Sequence, residues 1–175
     1  MPPLQLARLR PLSLTDAEAL LPVFGDEDTM RYWSHGPVAS LDEMREKVAQ
    51  NLTANGPPTA YAITCAADGP ALGWVSLYDI RNGNAGAGYI LNKAVRGRGL
   101  VRAALAQLLD IALCERNLHR IYLDIDPENS ASIRLAQSMG FRWEGHFKES
   151  FLRDGVYYDS VFYAMLAHEW RALRG

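Results

Sequence analysis

The sequence predicts an α/β (α+β) domain whose central sheet is mixed but mostly antiparallel, has about seven strands and is flanked by helices. Three observations predict it. Between Thr59 and Leu91, three apolar runs are separated by Asp68-Gly69-Pro70 and by Arg81-Asn82-Gly83-Asn84, which reads as an antiparallel meander. A strand, a glycine-rich turn, a long amphipathic run and a further apolar strand then follow from Ala87 to Ile125. That order places the last strand parallel to the first through a right-handed crossover. Finally, Phe141–Leu152 and Val156–Leu166 flank Arg153-Asp154-Gly155, a closing hairpin.

Taken in order, Leu4, Leu6 and Leu9 mark a first strand that ends at Pro11, and Thr15 to Phe24 reads as a helix. Asp26 to Trp33 forms a short second turn. Ser40-Leu41-Asp42-Glu43 is a capping box in which Ser40 accepts from the Glu43 N–H and Glu43 reaches back. The helix it opens runs to about Asn55, where Asn55-Gly56-Pro57-Pro58 stops it. Strands follow over Thr59–Ala67, Ala71–Asp79 (with Leu72, Trp74 and Val75) and Ala87–Leu91. In the helix from Leu100 to Asn117, Val101, Ala104, Leu105, Leu108, Leu109 and Ala112 form one apolar, core-facing stripe. His119–Ile125 is a buried strand. Asn129 or Ser130 caps the next helix, and Gly140 ends it.

The 175 residues fit one domain, 1–175, without repeats or linkers. With 49% hydrophobic and 22% charged residues the balance is globular, and a net charge of −2 gives no general affinity for nucleic acid. There is no apolar run long enough for a bilayer and no leader-like apolar segment between Met1 and Leu14, so the expected compartment is the cytoplasm. Cys65 and Cys114 sit in apolar contexts and read as core thiols. His119, His146 and His168 have no metal-ligand spacing, so no metal is expected; Trp143 reads as core or rim.

The chemistry-bearing stretch is Arg96-Gly97-Arg98-Gly99 between a strand and a helix. The glycines permit a tight turn and close backbone approach. The helix start offers free N–H donors, and the arginines add positive charge. Together they make an anion cradle suited to a phosphate or pyrophosphate; a surface turn with two solvated arginines is the alternative. Neither GxxxxGK[ST] nor GxGxxG is present, which excludes a P-loop and a dinucleotide fingerprint.

From Leu4 to about Leu166 these residues resemble the GCN5-related N-acetyltransferase (GNAT) family. Gly88-Tyr89-Ile90-Leu91 looks like that family's fourth strand, and Arg96-Gly97-Arg98-Gly99-Leu100-Val101 resembles its acyl-CoA motif, [QR]xxGx[GA]. Asn129-Ser130-Ala131-Ser132, Gly140-Phe141 and Glu144-Gly145 resemble the NxxS…GF…EG series of the ribosomal-protein alanine/serine N-terminal acetyltransferase branch. Arg153-Asp154-Gly155, Asp159 and Tyr163-Ala164 fit that branch too. Three positions depart from the family: Val101 replaces a small residue, Ala136 stands where many members place a thiolate-protonating tyrosine, and Gly86-Ala87 replace a frequent carboxylate.

The resemblance implies the GNAT fold, splayed between strands four and five, and acetyl-CoA as the acetyl donor. It assigns the cofactor to Ile90, Leu91, Arg96, Gly97, Arg98, Gly99, Leu100, Val101, Asn129 and Ser132. The pyrophosphate would meet Arg96–Val101, and a fourth-strand N–H, that of Leu91, would face the thioester oxygen. Asn129 and Ser132 would be the catalytic residues, with Ser132 donating to the leaving sulfur. The rival readings are a plain helix cap for Asn129 and a backbone-bonded serine for Ser132. An α-amine has an unperturbed pKa near 7.7–8.0, so ordered water suffices as base. Asp124, Asp126 and Glu149 are nearby carboxylates, either helpful or merely solvated.

Acceptor recognition falls to Asp26–Pro37 and the hairpin around Asp154. Tyr32, Trp33 and His35 line a groove there or pack under the helices. The acceptor expected from the resemblance is a primary amine at a protein or peptide N-terminus. A small-molecule amine (antibiotic, polyamine or amino acid) is the alternative within enzymes, and a non-catalytic acyl-CoA sensor is the alternative outside them. Open sheet edges leave room for a homodimer without requiring one.

Overall fold

The computed structural model describes residues 7–52 and 56–175. Leu4, Leu6 and Asn55 lie outside the described residues. Seven strands form one sheet in the order β1-β2-β3-β4-β5-β7-β6: β1 (Arg8–Pro11), β2 (Ala60–Thr64), β3 (Gly73–Arg81), β4 (Asn84–Leu91), β5 (Arg120–Ile125), β6 (Arg142–Arg153) and β7 (Val156–Leu166). The helices are α1 (Ala17–Phe24), α2 (Glu27–Met30), α3 (Leu41–Gln50), α4 (Leu100–Leu109), α5 (Ser130–Ser138) and α6 (Ala167–Arg174). The parallel pairing of β4 with β5 is the expected crossover; β1–β2, β2–β3, β5–β7 and β6–β7 are antiparallel.

The chain divides into two compact units. Unit one takes the chain up to Arg31, Gly36–Ser76 and Tyr89–Leu108. Its core joins α1, α3 and the apolar side of α4: Leu20, Phe24, Met44, Val48, Leu105 and Leu108 are fully buried. Phe24 packs tilted against Trp74 with ring centroids 4.6 Å apart. Arg10 grips buried Asp16 with two hydrogen bonds, which fixes β1 against the start of α1.

Unit two takes Tyr32–His35, Leu77–Gly88 and Leu109–Gly175. Asn82 and Gly83 both have positive φ, as the hairpin turn requires, and so do Asp154 and Gly155 at the second hairpin. Along β5 and β7 the odd-numbered residues Ile121, Leu123, Ile125, Val161, Tyr163 and Met165 are buried. Gly140 ends α5 at φ +88°, with Gly140 and Phe141 donating to the Gln137 and Ala136 carbonyls.

Several expectations are corrected. Glu43 bonds the Ala39 N–H rather than that of Ser40, so only the Ser40 half of the capping box forms. The long helix is α-helical only to Leu109, then becomes a π-helical turn over Asp110–Glu115. The wider turn rotates later residues off the apolar stripe, so Cys114 is exposed. Strand β2 stops at Thr64, whose hydroxyl donates to the Ala66 carbonyl, which leaves Cys65 only half-buried. Neither thiol is a core residue. Of the two readings of Trp143, core fails and rim stands: it is 59% exposed on an edge strand. The closing helix α6, without an expectation in the sequence reading, is held by Trp170 and Arg174 to Asp110 and by Arg171 to the Leu113 carbonyl.

Candidate active site

In unit one, β4 delivers the chain to the glycine turn. Asn92 N–H bonds the Leu72 carbonyl, so strand alternation turns the Leu91 N–H away from β3. Ile90 and Leu91 are buried. Gly97 and Gly99 have φ of +74° and +75°, a backbone that L side chains adopt only with strain. A β-carbon at either would meet nothing within 4 Å, so the peptide groups are bare. Ala103 N–H makes the first helical bond, to the Gly99 carbonyl. The N–H groups of Leu100 and Val101, in the first turn of α4, precede that bond.

The two arginines do different things. Arg98 is exposed. Arg96 donates Nε to the Leu91 carbonyl at 3.2 Å and Nη2 to Thr29 Oγ1 at 2.8 Å. It braces the turn against the end of β4 and against α2. A second brace joins Lys93 to Asp26, the residue that caps α2. The Lys93 ammonium and then the Thr29 hydroxyl hold the Asp26 carboxyl down at about 2. Sequence reasoning missed Asp26, Thr29 and Lys93 as supports of this turn.

In unit two, Asn129 Oδ1 accepts from the Ser132 N–H at 3.2 Å, so Asn129 is the cap of α5. Its amide nitrogen and the half-buried Ser132 hydroxyl remain for other work. Ala136 is fully buried. Asp126 takes the Glu128 N–H at 2.8 Å and shapes the loop before Asn129. Tyr32 donates to the Glu128 carbonyl at 3.4 Å, and Arg153 donates to the Trp33 carbonyl at 3.1 Å. The Tyr32–His35 segment and the last hairpin, both read from sequence as acceptor-recognising, are thus in contact. Trp33 and His35 rings lie 6.1 Å apart.

Glu149 sits in a bulge of β6 at φ +49°. Its N–H bonds Asp159 Oδ1 at 2.9 Å, while His146 bonds Asp159 Oδ2 at 2.7 Å. Asp159 pins that bulge, which gives this motif residue a structural task.

The β4–β5 ladder contains three residue pairs, Asn84–Arg120 to Gly86–Tyr122. Tyr78 lies over Gly86: a β-carbon there would overlap the Tyr78 ring. That packing leaves no room for a side chain at Gly86 unless the Tyr78 ring moves.

A family model described as an acetyltransferase (GNAT) domain matches residues 7–142. The chain belongs to the GNAT acetyltransferase family. This GNAT chain is 25% identical over 174 residues to the spermidine N(1)-acetyltransferase of Escherichia coli K12, covering 98% of this chain and 92% of that protein. YdaF of Bacillus subtilis strain 168, provisionally named a ribosomal N-acetyltransferase, is 30% identical over 105 residues, 59% of this chain and 57% of its own. The crystal structure of Vibrio cholerae spermidine N-acetyltransferase with CoA and spermine superposes with a TM-score of 0.82 at 27% identity, covering 94% of this chain and 98% of that one. The GNAT chain is an N-acetyltransferase that uses acetyl-CoA. Among the described residues, no helix is long and apolar enough to cross a membrane.

Proposed function

We propose that this GNAT enzyme moves the acetyl group of acetyl-CoA to the primary amine of a small molecule. The cofactor half rests on the bare peptide groups of Gly97 and Gly99 at the opening of α4. Acetyl-CoA supplies an activated thioester. The donors of Leu100 and Val101, with Arg98, hold its pyrophosphate, and the Leu91 N–H takes the thioester oxygen. Asn129 orients the thioester end, and the Ser132 hydroxyl gives a proton to the departing sulfur. With Ala136 in place of a tyrosine, Ser132 is the hydroxyl left for that step.

The acceptor half rests on relatives named for spermidine that match nearly the whole chain, whereas the relative named for ribosomal work matches 59% of it. A protein N-terminus, favoured by the NxxS…GF…EG series, is the second reading. Incubation with acetyl-CoA and a panel of small amines and N-terminal peptides tests both. Release of CoA with small amines alone supports the first reading; turnover with peptides alone supports the second; no release with any acceptor overturns both.

A further inference from the structure

One face of the unit-two sheet carries a continuous strip of rings. Tyr78 of β3 meets Tyr122 of β5 edge-on at 6.0 Å, and Tyr122 lies 5.9 Å from Phe162 of β7. Phe162 meets Phe147 of β6 at 4.8 Å. The helix-covered face takes the odd-numbered residues of β5 and β7, so Tyr122 and Phe162 look the other way, and the pairing of Phe147 with Ser160 puts Phe147 on their face. Tyr78 and Phe147 stay 41% and 51% exposed, far more than core rings.

The charges beside the strip are unevenly matched. Asp79 accepts the Tyr122 hydroxyl at 3.1 Å and pairs with Arg81. Glu144 is paired with Arg120. Asp124, on the same face as Tyr122, has no cation within ion-pair distance among the described residues. Asp124 is exposed at the surface, and the neighbouring protein still screens its carboxyl from enough water to push it up. A carboxylate in that state gains from an incoming cation. Ring faces attract the same cation and shelter an apolar body attached to it.

We propose that the Tyr78–Tyr122–Phe162–Phe147 strip with Asp124 is the seat of a protonated organic amine that carries an apolar body. This deepens the amine-acetyltransferase reading and rests on it for the fate of the amine, not for its binding. The occupant is an alkyl- or arylalkylammonium ion; Asp124 takes the ammonium and the rings take the hydrocarbon.

Calorimetric titration of the whole protein with phenethylamine, and separately with its neutral counterpart 2-phenylethanol, tests the seat without any turnover. The expected result is saturable phenethylamine binding, weakened at least tenfold in Asp124→Asn and in Tyr78→Leu, with 2-phenylethanol at least tenfold weaker. Tyr78→Leu serves alone if Asp124→Asn fails to fold. Equal binding by both variants, equal binding of the alcohol, or no saturable binding overturns the proposal. Absence of binding together with dimers in sedimentation would mean that a second copy covers the strip, and it overturns the proposal too. Binding as expected with no acetylation of any amine would sink the enzymatic reading and leave the seat standing. Acetylation with an unchanged KM in Asp124→Asn would do the reverse.

Discussion

Gly73 lies so close to Ile90 that a β-carbon on it would overlap the Ile90 carbonyl oxygen and come within 2.9 Å of Leu91 Cα. Backbone, not a movable side chain, stands in the way. Gly73→Ala should therefore destabilise by about 3 kcal/mol or more, at the upper end of overpacking effects. Gly86→Ala meets the Tyr78 ring instead, which keeps an exposed edge and can swing aside; about 1 kcal/mol is expected. Urea unfolding of the two variants checks the order.

Arg96 acts through its two neighbours before it acts on any ligand. Arg96→Ala should weaken CoA binding by about tenfold, the effect of losing roughly 1.4 kcal/mol of bracing and charge. Thr29→Val removes one of the two hydrogen bonds and should weaken it by less than threefold. Isothermal titration with CoA reads both; an equal loss would mean that the α2 contact, not the guanidinium charge, sets the affinity.

At Gly99, alanine and glutamate share the same backbone strain, since φ is +75° and the space beyond is open. The difference between Gly99→Ala and Gly99→Glu is therefore charge. Glutamate should bind CoA at least tenfold more weakly than alanine. Identical affinities would move the pyrophosphate away from this turn.

Ser132→Ala should lower kcat by about tenfold or more while the CoA dissociation constant changes less than twofold, as expected for a proton donor that acts only as sulfur departs. A proportional loss in both would reduce Ser132 to a first-turn contact of α5.

The Asp26 carboxyl, held at about 2 against an ordinary 3.8, gives an acid-side signature. A lowered folded-state value means that its contribution to stability is present above pH 3.8 and is lost as pH falls through about 2. Asp26→Asn should flatten the fall of Tm with acid in that window. Because the partner Lys93 side chain is 58% exposed, the change will be modest and will shrink with added salt.

Local chemistry was what the sequence displayed well. Asn82-Gly83 and Asp154-Gly155 have positive φ, and so do Gly97 and Gly99, so the turns could be read residue by residue. Side-chain partnerships across the chain could not. Lys93–Asp26 and Arg96–Thr29 each join residues 67 positions apart, and no periodicity announces such a pair. The ring strip is drawn from four strands, and in a one-dimensional reading its members pass for ordinary strand aromatics. Cys114 was misread because a π-turn changes the angular step within an apolar run.

Strand β6 is one border of the sheet, twice broken in register and kinked at Glu149. An unkinked border bearing Phe147, Phe151 and Leu152 would offer a ready template on which further chains could stack into fibres. The interruption that Asp159 maintains thus doubles as a safeguard of solubility. Loss of that carboxylate would first be noticed as turbidity in concentrated solution rather than as a slower reaction.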